Sequence, residues 1–226
     1  PVVLTGSQKS IYNRDTDARN NLWRAVAYAC HPDAWGVQIV FDNQVILGTR
    51  ARKTRTKSFN AFSSIDYPET AMFRDRRLIQ FLQRPAEYTH AVFSTALDPN
   101  VFVLRLVPGM RADIIPMLEG RYRALVLESF GVGGLPGGDD GAMFAAVRDW
   151  CGAGHLAVFT TQVPHEGSDL AVYEVGRAAK ALPGVLEAHD MTPEATAVKL
   201  MWVLGQTTDR AEAEKLFLTP VQWDIL

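Results

Sequence analysis

The sequence is poor in the residues that build metal clusters and disulfide scaffolds. Its 226 residues include two cysteines, Cys30 and Cys151, far apart in the chain, and five histidines without ligand spacing. We therefore expect no metal, no disulfide framework and a reducing compartment. No apolar run approaches the roughly 20 residues of a membrane-spanning helix, and no signal-peptide pattern opens the printed chain. The prediction is a cytoplasmic protein without a membrane partner.

An excess of one charge sign is also lacking. Lysine and arginine number 23 and aspartate and glutamate 25, which gives a formal net charge of -2. That balance favours neither nucleic acid nor an anionic membrane, so we expect a small-molecule partner. A composition of 47% hydrophobic and 21% charged residues excludes disorder and fibrous repeats. The length indicates one large domain or about one and a half.

The chain opens on an apolar run. Residues 1–4 predict a buried strand, and such a strand needs neighbours on both of its edges, so we expect further chain upstream of Pro1. Apolar residues at helical spacing then predict a helix over about residues 17–30, with Thr16 or Asp17 as its N-cap. The sequence therefore begins with a strand followed by a helix.

A hairpin is predicted next. Two short apolar strands, 37–41 and 45–47, flank Asp42-Asn43, a pair that tolerates the positive φ of a tight turn. Strand, helix and hairpin in this order indicate part of an α/β domain.

In the second half, strands alternate with helices, which predicts parallel strands joined by crossover helices. We predict an α/β fold in which residues 1–90 are the C-terminal part of a larger parallel-sheet α/β domain and residues 91–226 a smaller, complete α/β domain. A helix over 195–204 is apolar nearly all round except Lys199, so it should be buried, and Gly205 should end it. The other predicted units are strands 101–107, 124–128 and 156–160 and helices 110–119, 140–150 and 173–181.

A glycine-rich loop, Gly131–Gly138, lies between a predicted strand and a predicted helix, which is the context of a dinucleotide-binding turn. The spacing does not fit, because Pro136 stands where the third glycine should be and no convincing ribose-binding acid follows. We interpret the loop as a flexible turn at the carboxyl end of a parallel sheet, where open α/β sheets bind ligands. It implies no organic cofactor.

A dense basic run contains Arg50, Arg52, Lys53, Arg55 and Lys57. One interpretation is a solvated loop or a phosphate-binding patch. The other is that one lysine among these cations is held partly neutral, because neighbouring positive charge and burial both favour the uncharged amine. A neutral lysine can act as a base.

Hydroxyl and carboxylate candidates are less specific. Thr5, Thr16 and Thr54 could serve as nucleophiles, yet a lone threonine is usually a cap, a turn or a strand residue. Glu166 lies beside His165 in a polar loop after a predicted strand, and an exposed connection is the simplest interpretation.

Several segments resemble the motifs of one known family and occur in the same order along the chain. These segments are Thr5-Gly6-Ser7-Gln8, Asp17 with Asn21-Leu22, Phe41 through Lys53 with Gly48 and Arg50, Phe59–Ser63, Ser129–Gly133, Thr161-Gln162, and Asp190–Thr196 with Lys199-Leu200. Together they resemble the L-asparaginase family, and specifically its bacterial type I branch. The similarity spans nearly the whole chain, and the ordering is more specific than any one motif.

The resemblance implies an amidohydrolase that converts L-asparagine to L-aspartate and ammonia through a threonyl acyl-enzyme, without a metal or cofactor. One threonine attacks the amide, and a second threonine, an aspartate and a lysine handle protons, because a hydroxyl is a poor nucleophile until a base accepts its proton. Lys53 matches the catalytic lysine. Ser7 matches a substrate-binding position that acts through its backbone carbonyl. The resemblance also implies a homodimer or homotetramer acting on asparagine or glutamine.

The departures concern the nucleophile and the subunit contacts. The family's T-G-G-T and G-T-D-T segments are absent from the sequence, so we expect this chain alone to be inactive, and Thr5 belongs to a different motif. Gly134 replaces an asparagine that often reaches a neighbouring subunit's site, and Glu166 is our candidate for the substrate-binding carboxylate across that contact. Glu128 and Val163 stand at effector-site positions of some type I members, so no comparable asparagine activation is expected.

Two other hypotheses stay open. The first is the glutaminase-type subunit of a tRNA amidotransferase, which shares the fold. The second is a non-catalytic relative that kept an amino-acid-binding cleft and lost the nucleophile.

Overall fold

Short strands and a flanking helix form the first of two units into which the chain divides. The computed structural model describes residues 1–86, 92–136 and 141–226, and the units are Pro1–Phe93 and Ser94–Leu226. The first unit contains β1 (Val2–Leu4), α1 (Ala18–Ala29), β2 (Val37–Phe41), β3 (Gln44–Leu47), β4 (Ala51–Lys53), β5 (Phe62–Ser64), β6 (Ala71–Arg74) and β7 (Arg77–Gln80).

The sheet of the first unit is mixed, in the order β1-β2-β3-β6-β7. β1 pairs with β2 in parallel, whereas the remaining neighbours are antiparallel; β4 and β5 form a separate antiparallel ribbon. The predicted hairpin is confirmed, because Phe41 pairs with Gln44 across a two-residue turn in which Asp42 has a φ of 54°.

The opening strand is present but is not buried as predicted. Val2 is 48% exposed and Leu4 52% exposed. Val2 and Leu4 lie on one face of β1, opposite Val3, which packs against the core of this unit. Among the described residues β1 also pairs only with β2, so it lies at the edge of the sheet.

The predicted helix over 17–30 is confirmed as α1, and it buries Asn21, Ala25 and Tyr28. Ala25 and Tyr28 join Val40 of β2 and Val45 of β3 in the core of this unit. The apolar residues whose spacing predicts the helix do not all face the sheet, because Ala25 is buried whereas Leu22 is 51% and Val26 55% exposed. The spacing therefore identifies the helix but not the face that packs on the sheet.

The second unit is built from strands that alternate with helices. Its elements are β8 (Val101–Arg105), two short 3-10 helices (Ala112–Ile114 and Pro116–Leu118), β9 (Ala124–Ser129), α2 (Ala142–Gly152), β10 (Leu156–Thr161), α3 (Glu174–Lys180), β11 (Val185–Glu187), α4 (Pro193–Gln206) and α5 (Arg210–Leu218). The strands form a wholly parallel sheet in the order β11-β10-β9-β8.

Both faces of this parallel sheet are covered. Val126 of β9 and Val158 of β10 belong to a core with residues of α4 and α5, whereas Leu127 and Phe159 belong to a second core with residues of α2. Successive side chains of a strand point to opposite faces, so strands between two helical layers are apolar throughout. The α/β fold class predicted from the sequence is confirmed.

The predicted helix over 110–119 is wrong. The segment forms the two 3-10 turns instead. Pro116 explains the difference, because proline lacks the N–H of a helical hydrogen bond and its ring clashes with the carbonyl group four residues earlier in an α-helix.

The helix predicted over 195–204 is present as α4, with three differences. Val198 is exposed, so one side of α4 faces outward. Lys199, the expected polar exception, is only 7% exposed. Gly205 does not end the helix; it lies within it, where a Cβ would overlap the carbonyl oxygen of Ala96. Close approach of backbone, and not termination, is the physical reason for glycine there.

No helix among the described residues is both long enough and apolar enough to cross a bilayer.

Candidate active site

A pocket of about 250 Å³ lies in the first unit where β1 ends. The end of β1 and the turn after it supply part of its wall, and β2, β4 and β5 supply the rest. Two of the residues proposed from the sequence, Ser7 and Lys53, line it together. The lining residues are Leu4, Thr5, Gly6, Ser7, Ile39, Phe41, Lys53 and Phe62.

Lys53 is the last residue of β4 and pairs with Phe62 of β5. Its Nζ donates a hydrogen bond to Gln8 Oε1 at 3.0 Å and lies 6.0 Å from the centre of the Phe62 ring. The side chain is exposed, so the burial that was expected to favour a neutral amine is not provided by the described residues. Gln8, which the sequence identifies only as part of the Thr5–Gln8 motif, is therefore the contact that orients the lysine.

The basic run does not form one patch. Arg50 is fully buried, and its guanidinium lies 5.6 Å from the centre of the Tyr67 ring. Arg55 is exposed and donates to the carbonyl oxygen of Asn60 at 3.1 Å. The run therefore divides into a buried structural arginine, a pocket lysine and an exposed loop.

The three candidate threonines use their hydroxyl groups in local structure. Thr5 Oγ1 donates to the carbonyl oxygen of Val40 at 2.7 Å, and Thr54 Oγ1 lies 2.7 Å from Ser63 Oγ. Thr16 Oγ1 accepts the N–H of Ala18 at the start of α1. These contacts agree with the turn and cap interpretation.

In the second unit, hydrogen bonds connect the loops at the carboxyl ends of the parallel strands. Gln162 Nε2 donates to the carbonyl oxygens of Leu106 and Glu128, at 2.6 and 2.8 Å. The N–H of Asp169 donates to the carbonyl oxygen of Val132 at 2.7 Å. The strand-end loops are thus one hydrogen-bonded structure at the edge of the sheet where ligands commonly bind.

Glu166 is exposed in the loop after β10, with a φ of 77°. Such a conformation is uncommon for a residue with a Cβ and clusters at functional sites. Gly167 follows, where a Cβ would lie 2.5 Å from the carbonyl oxygen of His189, and the N–H of Ser168 donates to that same oxygen at 2.8 Å. The turn that carries Glu166 is therefore packed tightly on the turn after β11.

A buried carboxylate that the sequence reasoning missed supports the same loop. Glu187, at the end of β11, accepts the N–H of Leu170 at 2.7 Å and Lys180 Nζ at 2.8 Å. The hydrogen bond from Lys180 is the main cause that raises the pKa of that lysine. The sequence signal that could have identified Glu187 is an acidic residue at the end of a short apolar strand.

Part of the glycine-rich loop, residues 137–140, lies outside the described residues. In the described part, Phe130 and Gly134 exchange backbone hydrogen bonds of 3.0 and 2.7 Å. A Cβ at Gly133 would lie 2.6 Å from the Leu170 side chain, so close packing accounts for this glycine. Across the parts of the chain that are described, no group of three His, Cys, Asp or Glu residues is arranged to hold a metal ion.

Comparison with known proteins gives consistent results. Residues 1–87 match the family model "Asparaginase, N-terminal", and residues 100–217 match "Glutaminase/Asparaginase C-terminal domain". The chain is 38% identical over 217 residues to an L-asparaginase from Thermococcus kodakarensis, an alignment that includes 96% of this chain and 65% of that protein. It is also 33% identical to a glutamyl-tRNA(Gln) amidotransferase subunit from Pyrococcus furiosus, covering 97% of this chain and 51% of that protein.

A solved structure is similar as well. The thermostable L-asparaginase from Thermococcus kodakarensis superimposes with a TM-score of 0.93 at 36% identity, over 100% of this chain and 68% of that one. The chain thus spans between half and two thirds of the length of the curated relatives named above. With both of its units matched in order, the chain belongs to the glutaminase/asparaginase family.

Proposed function

We propose that the intact protein hydrolyses the side-chain amide of L-asparagine to L-aspartate and ammonia. A threonine hydroxyl attacks the amide carbon, ammonia leaves, and water then hydrolyses the resulting ester to release aspartate and free the hydroxyl. The nucleophile and its partners belong to the T-G-G-T and G-T-D-T segments, which this chain does not contain. The chain alone is therefore inactive.

The observation that carries this proposal is the pocket lined by both Ser7 and Lys53. Lys53 accepts or relays the proton of the attacking hydroxyl. A neutral amine that donates one N–H to Gln8 Oε1 keeps its lone pair for that proton, so the observed contact is compatible with the role. Ser7 binds the substrate amide through its backbone carbonyl.

We propose Glu166 as a carboxylate that completes the substrate site of a neighbouring subunit in a homodimer or homotetramer. Its exposure and its tightly packed turn support this role, because a carboxylate that reaches another subunit has to be both accessible and fixed. No cofactor takes part, and we place the protein in the cytoplasm.

The test uses the intact protein with Lys53→Met and the control Lys57→Met, an exposed lysine of the same basic run. Loss of one member of a cooperating nucleophile and base lowers kcat by about a thousandfold or more. We expect this loss for Lys53→Met and a change within about twofold for Lys57→Met. Near-normal ammonia release by folded Lys53→Met would contradict the assignment.

A glutaminase-type subunit of a tRNA amidotransferase is the second candidate, favoured by the identity to the amidotransferase protein from Pyrococcus furiosus. Ammonia release from glutamine but not from asparagine would select it. An intact protein that binds asparagine without releasing ammonia would instead indicate a non-catalytic amino-acid-binding relative.

A further inference from the structure

Two buried polar residues at the start of α1, the N-cap Asp17 and Asn21 of the first turns, make hydrogen bonds outside the helix. Asp17 is 6% exposed and Asn21 1% exposed. Asp17 occupies the N-cap position of α1, where an aspartate ordinarily accepts an N–H of the first helical turn, yet its side chain makes no capping hydrogen bond. The hydrogen bonds of this carboxylate must therefore be sought elsewhere.

The Asp17 carboxylate forms its hydrogen bonds with the turn that lines the pocket. Asp17 Oδ2 accepts the N–H of Gln8 at 2.9 Å, and Asp17 Oδ1 accepts the N–H of Lys9 at 3.0 Å. Asn21 Nδ2 donates to the carbonyl oxygen of Gly6 at 2.9 Å and to Asp17 Oδ2 at 3.1 Å. Backbone groups on both sides of Ser7 are thus fixed by the same pair of side chains.

The pair also connects the turn to the sheet. Asn21 Oδ1 accepts the N–H of Asp42, the residue that follows β2, at 3.0 Å. Gln8, whose N–H is held by Asp17, accepts the hydrogen bond from Lys53 Nζ. A continuous set of contacts therefore runs from α1 through the turn to the proposed base.

We propose that Asp17 and Asn21 are positioning residues that hold the Gly6–Lys9 turn, and through it Ser7 and Lys53, in the geometry needed for amide hydrolysis. This inference rests on the proposed function. Neither residue touches substrate in this scheme. Their contribution is the placement of the Ser7 carbonyl and of Gln8, because a site whose supporting contacts are loosened loses activity even when its reacting groups are intact.

The charge state of Asp17 agrees with this role. Burial by itself raises the pKa of this carboxyl, but hydrogen bonds from the N–H groups of Gln8 and Lys9 and from Asn21 outweigh burial, and the net pKa lies below the ordinary value. The carboxylate is therefore ionised at neutral pH, when it can accept every one of these hydrogen bonds.

The experiment compares Asp17→Asn with Thr70→Val in the intact protein. The asparagine variant keeps the shape of the side chain but turns one acceptor into a donor that faces backbone N–H groups. Thr70 is a fair control because it is fully buried and its hydroxyl lies 3.1 Å from Gln38 Oε1 and from the Val45 carbonyl oxygen, both outside the turn. Both variants lose buried hydrogen bonds of the same unit.

At a temperature at which both variants are folded by circular dichroism, we expect kcat/KM for asparagine to fall at least tenfold in Asp17→Asn and to stay within twofold in Thr70→Val. For Asn21→Leu, kcat/KM should fall as much as for Asp17→Asn. For the double variant, kcat/KM should fall no further than in the more affected single variant, because both residues act through one turn. Wild-type kcat/KM in folded Asp17→Asn would overturn the proposal.

Amide hydrogen exchange separates this inference from the proposed function. Exchange at Gln8 and Lys9 should accelerate at least tenfold in Asp17→Asn and not in Thr70→Val, and unchanged exchange would overturn the positioning role. If the wild-type protein releases no ammonia from asparagine or glutamine, the proposed function fails, while the exchange rates still decide whether Asp17 holds the turn.

Discussion

Asp224→Asn tests what holds the C-terminal segment on α4. Lys199 Nζ lies 2.8 Å from Asp224 Oδ2, and the two side chains are 5% and 3% exposed. Lys199 also donates to the carbonyl oxygen of Thr219 at 2.8 Å, and Asp224 Oδ1 accepts the N–H of Val221 at 2.7 Å. The substitution keeps the shape and the Val221 contact but leaves the lysine buried without its counter-charge.

The expected loss follows from that geometry. Removing one partner of a buried ion pair costs about 3–5 kcal/mol, and the surviving bond to Thr219 puts Asp224→Asn near the lower end, about 3 kcal/mol. Lys199→Met instead leaves the Asp224 carboxylate buried without a counter-charge and should lower the free energy of unfolding by a similar amount. The double variant has no buried charge and lacks only one or two neutral hydrogen bonds, so its cost should be about 1–2 kcal/mol.

Fragment-resolved hydrogen exchange of α4 and α5 in the intact protein measures this loss in the second unit alone, without assuming two-state unfolding of both units. A loss of about 3 kcal/mol accelerates exchange through opening by about 150-fold, since 1.4 kcal/mol corresponds to a factor of about ten. A single variant that loses less than about 1 kcal/mol, or a double variant whose loss equals the sum of the singles, would refute the reasoning.

Two further predictions concern Gly205 and the cysteines. Gly205→Ala should destabilise the protein by about 1–3 kcal/mol, because the cost of overlap with the Ala96 carbonyl exceeds the gain in helix propensity. Gly152→Ala places its Cβ in open space at the end of α2, so it should stabilise the protein by up to about 1 kcal/mol. Thermal denaturation checks both signs, and a stabilised Gly205→Ala would contradict the first. Burial raises the pKa of Cys151 to about 11, whereas Cys30 is exposed, so iodoacetamide at pH 8 should label Cys30 and spare Cys151. Mass spectrometry reads the result, and equal labelling would show that Cys151 is accessible.

The sequence predicts the central strands of the second unit well because β9 and β10 are buried on both faces. A strand of this kind is an uninterrupted apolar run, and the run predicted over 124–128 is β9, Ala124–Ser129. The prediction fails where local and tertiary signals conflict. The alternation of strands and helices suggested a helix over 110–119, but Pro116 prevents one. At Gly205 the sequence carries a stop signal, yet the reason for glycine is a distant segment that no local pattern reveals.

The candidate site was accessible from the sequence only through its motifs. Residue types alone do not bring Ser7 and Lys53 together, because the contact depends on how β4 pairs with β5 and how the turn after β1 is held. The contacts of Asp17 and Glu187 were missed for the same reason. Each carboxylate accepts a backbone N–H of a loop outside its own helix or strand, 9 residues away for Asp17 and 17 residues away for Glu187, and such contacts leave no periodic pattern.

The exposure of Lys53 limits what this part of the protein can do. A lysine that works as a base has to be shielded from water, because water stabilises the ammonium form. Among the described residues, Lys53 donates a hydrogen bond to Gln8 and its Nζ lies over the Phe62 ring, while the side chain stays exposed. Under the proposed function, we therefore expect bound substrate to shield Lys53 from water.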